Sequence, residues 1–367
     1  MNGRMIRQYF RASLIFRLLS AMLLGLGVAS GIIYMFIAVP LFQTNDFFQV
    51  ASITFILVLS FFISGFILAP FEYRLDRKYG RTTWSFGGYL SYKMRSRLIL
   101  LIPFSIMLLV FIVYWIIIPG EDVYSVLFAY VSMIVIIFAV AIIMPRIYGS
   151  LLRKEKIGNE ALSKSIQDLA NRMGIKGKID GAYQVPVRGL KVVNAAQLGF
   201  GRRQGRVYLI GDIEEVLTKN EVEAVVAHEF AHMKAHHILK LSILLLTLLM
   251  GLYLLFTLMM FTILYPFLLF AANISDVAFI ASVIFLDLAC PLILAYILIL
   301  KFRRMFEFEA DRMAALITNP KYLSTSLDKL ADYNFIPKKF PWIIGVFIGH
   351  PSIVDRVERL TKMQMTR

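Results

Sequence analysis

The sequence predicts an α-helical polytopic membrane protein of about six transmembrane helices, with a cytoplasmic α+β domain that a transmembrane hairpin splits in two. Three observations lead there. Of 367 residues, 59% are hydrophobic and only 17% charged, and the mean hydropathy is +0.70. That balance is too apolar for a soluble protein. Six apolar segments are each long enough to cross a bilayer. The remaining polar sequence gathers mainly into two blocks, on either side of the last two segments.

The spans fall near 14–40, 47–71, 98–118, 124–144, 241–265 and 277–300. The first four make an N-terminal region over 1–145, and the last two a hairpin over 241–300. The connections 41–46, 119–123 and 266–276 contain no Lys or Arg and carry Asp46, Glu121, Asp122 and Asp276. The opposite side holds Arg4, Arg7 and Arg11, then Arg74, Arg77, Lys78, Arg81, Lys93, Arg95 and Arg97, then Lys301, Arg303 and Arg304. The positive-inside bias therefore predicts a multi-pass protein of the cell's inner or plasma membrane, with both termini and both polar blocks cytoplasmic. The net charge of +15 sits mostly on that side. A lipid bilayer with anionic headgroups is the partner this implies, and nucleic acid is not. The N-terminus is basic, but the apolar run after it is long enough to span, so no cleavable signal peptide is expected. The sole cysteine, Cys290, excludes an intramolecular disulfide framework and a cysteine-rich zinc site.

The first part of the cytoplasmic domain covers 146–240 and the second 301–367. Apolar positions Ile157, Leu162, Ile166, Leu169 and Met173 predict a helix over 153–173. Strand-like runs follow at 191–197 and 206–210. Thr218, with Glu221 three residues on, is an N-cap signal for the next helix. The second part reads as helical near 303–317 and again after Pro351. Asp287 lies in mid-span. It either faces a water-filled cavity or makes a buried hydrogen bond to a neighbouring helix.

The chemistry gathers at His228-Glu229-Phe230-Ala231-His232. On a helix, positions i and i+4 share a face, so His228 and His232 can hold one metal ion. Glu229 then sits where it can take a proton from an activated water. A catalytic zinc site wants a third protein ligand. Position 238 is Ile and 235 is Ala, which excludes a third histidine in the metzincin pattern. His236 and His237 remain possible, but successive turns of one straight helix cannot surround an ion, so they read better as residues behind the ligands. The better candidate is Glu307, which shares a helical face with Arg304 and Asp311, whereas Glu309 points elsewhere. Asp311 would orient a ligand histidine from behind. By itself, such an Arg/Glu/Asp stripe is usually a solvated salt-bridge face.

Membrane geometry favours the metal reading. His232 precedes the fifth span by nine residues and Glu307 follows the sixth by seven. If both helices extend out of the bilayer at 1.5 Å per residue, both ligands stand about 10–14 Å above it. The segment His350-Pro351-Ser352-Ile353-Val354-Asp355-Arg356 has two readings. It is a helix start with a surface histidine, or it supplies His350 and Arg356 as donors to an oxyanion or to substrate backbone.

HEFAH, the later Glu307-Phe308-Glu309-Ala310-Asp311 with its upstream Arg304, and the HPSIVDR segment together resemble the HtpX and type I CAAX prenyl protease family, and HtpX the more closely. These are membrane-integral gluzincin metallopeptidases. The resemblance covers roughly 150–240 and 300–360. It implies one zinc ion bound by His228, His232 and Glu307, with Glu229 as general base. It also implies that the strand at Asn194 and Ala195 aligns a polypeptide substrate by edge pairing, and that His350 and Arg356 contact substrate or transition state. Two departures from HtpX stand out: four spans rather than two precede the catalytic block, and residue 237 is His where many members have Asp.

The expected function is therefore zinc-dependent hydrolysis of peptide bonds, with misfolded or damaged membrane proteins as substrates. Cleavage of prenylated C-terminal peptides is the alternative. A transporter or metal-binding scaffold is the non-enzymatic one, but its polar site should lie near mid-membrane, and these metal candidates lie outside the spans. Oligomeric state is not legible.

Overall fold

A computed structural model describes residues 3–33, 46–99, 154–175, 182–198, 206–259, 277–341 and 347–365, with isolated positions between them. Helix α1 (Gly3–Ile33) packs along α2 (Asp46–Lys78). Among the described residues, the stretches Gly3–Gly27 and Val58–Lys78 are long and apolar enough to cross a membrane. The expected spans at 98–118 and 124–144 lie almost wholly outside the described residues, as does the side chain of Asp287.

The polar domain begins with β1 (Glu155–Lys156), α3 (Glu160–Arg172), β2 (Ala182–Val185), β3 (Asn194–Leu198) and β4 (Arg206–Ile210). Short α4 (Ile213–Val216) leads to α5 (Lys219–Lys234), then α6 (His237–Met259), α7 (Val277–Ile317), α8 (Pro320–Tyr333) and α9 (Ile353–Met365). The helix expected over 153–173 starts later. Residues 155–156 pair with β2, and Asn159 caps α3 by accepting from the Leu162 N–H at 3.1 Å. Leu162, Ile166, Leu169 and Ala170 then form its buried face at the expected helical spacing. The sheet order is β1-β2-β4-β3, with β2 and β4 parallel and the other pairs antiparallel. Asn194 and Ala195 thus lie on an edge strand, and Ala195 pairs with Leu209 of β4.

The run read as strand from 191 joins the sheet only at Asn194, because its earlier residues bond elsewhere. The Lys191 N–H donates to Arg81 O at 2.8 Å, and the Val193 N–H to Asn334 Oδ1 at 3.1 Å. Gly211, at φ 69°, lets the chain after β4 pass under this segment: a Cβ there would meet the Val192 carbonyl at 2.1 Å. Residues 79–84 form a strap that docks here, with Thr82 bridged to Leu190. The strap is anchored to the apolar helices α1 and α2 through Asp76, whose carboxylate accepts from Tyr9 Oη at 2.7 Å and Tyr89 Oη at 2.8 Å.

Helix α5 is the centre of the domain. Glu221 Oε2 accepts from the Thr218 N–H at 2.8 Å, as the capping signal predicts, and also from Lys329 Nζ of α8 at 2.7 Å. Val222, Ala224, Val226, Ala227, Phe230 and Ala231 are all fully buried, so nearly every side of α5 is covered. Ala227 and Ala231 of α5 and Ala310 and Ala314 of α7 have no exposed surface. Such small residues allow two helices to approach closely.

Candidate active site

Helix α5 carries His228, Glu229 and His232; α7, packed against it, carries Arg303, Arg304, Glu307, Glu309 and Asp311; α9 brings Arg356, and the turn before α9 brings His350. His228 Nε2 lies 3.1 Å from His232 Nε2 and 3.4 Å from Glu307 Oε2, and His232 Nε2 lies 3.8 Å from Glu307 Oε1. Ligands about 2.0–2.1 Å from a tetrahedral zinc are separated by about 3.3 Å, and one donor atom from each of these three residues lies within 4.8 Å of the other two. His228, His232 and Glu307 could therefore hold a metal ion.

Charge supports the same fit. Burial disfavours a charged His228, but hydrogen bonds to Asp311 and Glu307 outweigh it and raise the pKa to about 9. Burial also opposes ionisation of Glu307, yet His228 and His350 hold it well below the ordinary carboxylate range. Burial and the neighbouring His228 lower His232 to about 3, which keeps its ring neutral and its lone pair available. Without metal, the buried carboxylates thus draw a proton to the point where three ligand atoms converge, and a cation can take its place. Burial, partly countered by His228, pushes Glu229 up to about 7, while a backbone hydrogen bond from Gln197 of β3 pulls it down.

Behind the three ligand residues, His228 Nδ1 lies 2.9 Å from Asp311 Oδ1. Arg356 holds Asp311 in a two-pronged grip, Nε to Oδ2 at 2.8 Å and Nη2 to Oδ1 at 2.6 Å, and its Nη1 is 3.5 Å from Glu307 Oε2. Arg356 is 6% exposed, so it supports the ligands from inside. His350 differs. Its side chain is 51% exposed, its Nδ1 lies 2.9 Å from Glu307 Oε1, and its Nε2 lies 3.0 Å from Arg303 Nη2. Arg304 turns away from the ligands and donates to Gly345 O at 2.6 Å.

One expectation is corrected. The motif helix does not run straight into its span. It stops at Ala235, His236 takes φ 56°, and the helix axis bends by 47° into α6, so the height estimate from one continuous helix fails on this side. The bend swings His237 back until its Nδ1 lies 2.8 Å from His232 Nδ1. Glu309, which points elsewhere than Glu307 and Asp311, lies with Oε2 3.2 Å from His237 Nε2.

A His-His-Glu cluster that could hold a metal, with an adjacent glutamate, on an α+β domain joined to apolar helices, defines a membrane metallopeptidase. Residues 156–364 match Peptidase family M48, and the chain belongs to that family. It is 24% identical over 217 residues to Protease HtpX of Stutzerimonas stutzeri, covering 54% of this chain and 71% of that relative. It is 26% identical over 228 residues to Protease HtpX homolog 2 of Methanosarcina acetivorans, covering 57% of this chain and 75% of that one. Among solved structures, the crystal structure of S. mikatae Ste24p shares the fold, with a TM-score of 0.72 over 98% of this chain and 88% of that one, at 19% identity.

Proposed function

We propose that this metalloprotease is a zinc-dependent endopeptidase that works at the cytoplasmic face of the membrane on misfolded or damaged membrane proteins. The observation that carries it is the convergence of His228, His232 and Glu307 beside Glu229. The proposed architecture is a four-span region over 1–145, a catalytic domain split between 146–240 and 301–367, and the hairpin 241–300 between its parts, with six spans and cytoplasmic termini.

Zinc, when bound, supplies a Lewis acid and an acidified water. Glu229 accepts the proton of the attacking water on its carboxylate and returns it to the leaving amine. Of the two expected oxyanion donors, His350 is the one that reaches solvent, and Arg356 holds Glu307 and Asp311 in place from the interior. Substrate lies along the outer edge of β3, beside Asn194 and Ala195. Val193 gives its N–H and C=O to Asn334, at 3.1 and 2.7 Å. By strand alternation Ala195 and Gln197 present theirs to the same edge, and the Gln197 backbone reaches Glu229. Ala195 is therefore the rung on which a substrate residue pairs.

The purified chain should cleave an unfolded protein in a chelator-sensitive way. The variant Glu229→Gln should retain zinc and lose about 10²–10⁴-fold in rate; full activity in that variant would defeat the mechanism. A second reading, CAAX-type cleavage of prenylated peptides, draws on the likeness to Ste24p over almost the whole chain. Faster turnover of a farnesylated peptide than of its unmodified twin would favour it.

A further inference from the structure

We propose that His237 and Glu309 are positioning residues, forming a relay from the carboxylate of Glu309 through the ring of His237 to the ligand histidine His232. This rests on the His-His-Glu metal reading and adds two residues to it.

The placement is built. His237 is 1% exposed and its ring stacks flat on Phe306 of α7, with centroids 4.5 Å apart and planes 7° from parallel. It reaches that position only because the chain turns at His236, in the left-handed region. One edge then faces His232 Nδ1 at 2.8 Å and the other faces Glu309 Oε2 at 3.2 Å.

Tautomers follow from ligation. If His232 offers the Nε2 lone pair to a metal, its proton must sit on Nδ1. That N–H donates to His237 Nδ1, which must then be the unprotonated nitrogen of its ring. The His237 proton is left on Nε2, where it donates to Glu309. The opposite assignment places the His232 proton on Nε2 and removes that atom as a ligand. Glu309 thus selects the one arrangement in which His232 binds metal.

The two histidine ligands are consequently treated alike. Each ends on a carboxylate of α7: His228 directly on Asp311 at 2.9 Å, and His232 through His237 on Glu309. The Glu309 side chain is 46% exposed, against 5% for Asp311. Solvent screens the more exposed link, so Glu309 should contribute less than Asp311.

The test is zinc affinity of the full chain in detergent, measured by competition with a fluorescent chelator, together with the absorption spectrum of the Co²⁺-loaded protein. His237→Phe keeps the stack on Phe306 but removes both ring nitrogens. It should weaken zinc by about 10–100-fold and shift the Co²⁺ bands. Glu309→Gln should weaken zinc by roughly tenfold, and should cause no further loss once residue 237 is Phe. His237→Asp offers His232 a carboxylate directly; it should recover part of the lost affinity and also make Glu309→Gln silent. Wild-type affinity in His237→Phe, or a loss from Glu309→Gln that is unchanged in the Phe background, would overturn the relay while leaving the metal site intact. A wild-type chain that binds no zinc would overturn the metal reading and the relay with it.

Discussion

At the scale of single residues, the site divides into groups that reach solvent and groups that support the site from the interior. Arg356→Ala would leave Asp311 and Glu307 as buried charges without their guanidinium, at a cost of about 3–5 kcal/mol. His350→Ala removes a half-exposed ring that pairs with Glu307, so it should lower the melting temperature less than Arg356→Ala while kcat falls about 10²-fold. Thermal melts run beside peptidase assays separate the two, and equal destabilisation by both would contradict the division. His228, Glu229, His232, Glu307 and Asp311 are legible in the sequence because local helical spacing is enough to gather them on two faces. His237 is legible only as a residue behind the ligands, and its partner Glu309 is not. Their meeting depends on one histidine adopting φ 56°, which favours glycine and which nothing in the surrounding sequence announces.

At the scale of elements, the distance between α5 and α7 governs the site. Ala227, Ala231, Ala310 and Ala314 permit close approach, so Ala310→Leu should overpack the interface by about 1–3 kcal/mol. It should also weaken zinc binding, because the ligands lie on both helices. Unchanged metal affinity in a destabilised variant would separate spacing from ligation. On β3, Ala195→Pro removes the proposed substrate-facing N–H, and Pro is tolerated where that group points off the sheet edge. KM should rise about 5–10-fold, the worth of one hydrogen bond, with zinc affinity retained. The capping of α5 and the burial of α3 are readable from Thr218, Glu221 and the apolar spacing. Helix α8 escapes that reading, although Asn319-Pro320 is a start signal: the Asn319 side chain accepts from the Lys321 N–H at 2.9 Å and Pro320 opens the first turn. The strap cannot be read at all, since it joins residues 107 and 110 apart in the chain.

At the scale of the whole molecule, charge bias and hydropathy together predict which side of the membrane each block occupies. In a Cys290→Ala background, Glu121→Cys should react with an impermeant thiol reagent on intact cells. Arg188→Cys should react only after permeabilisation, and the reverse pattern would invert the topology. The two parts of the proposed catalytic domain are separated by a chain excursion that leaves after α5 and returns on α7. His232 stands at one foot of that excursion and Glu307 at the other. An ion held between them acts as a clasp, tying off a long loop and removing much of the freedom that loop would have in the unfolded chain. The metal would then do two things with one set of contacts: it would enable hydrolysis, and it would keep the proposed hairpin from pulling apart the segments on either side of it.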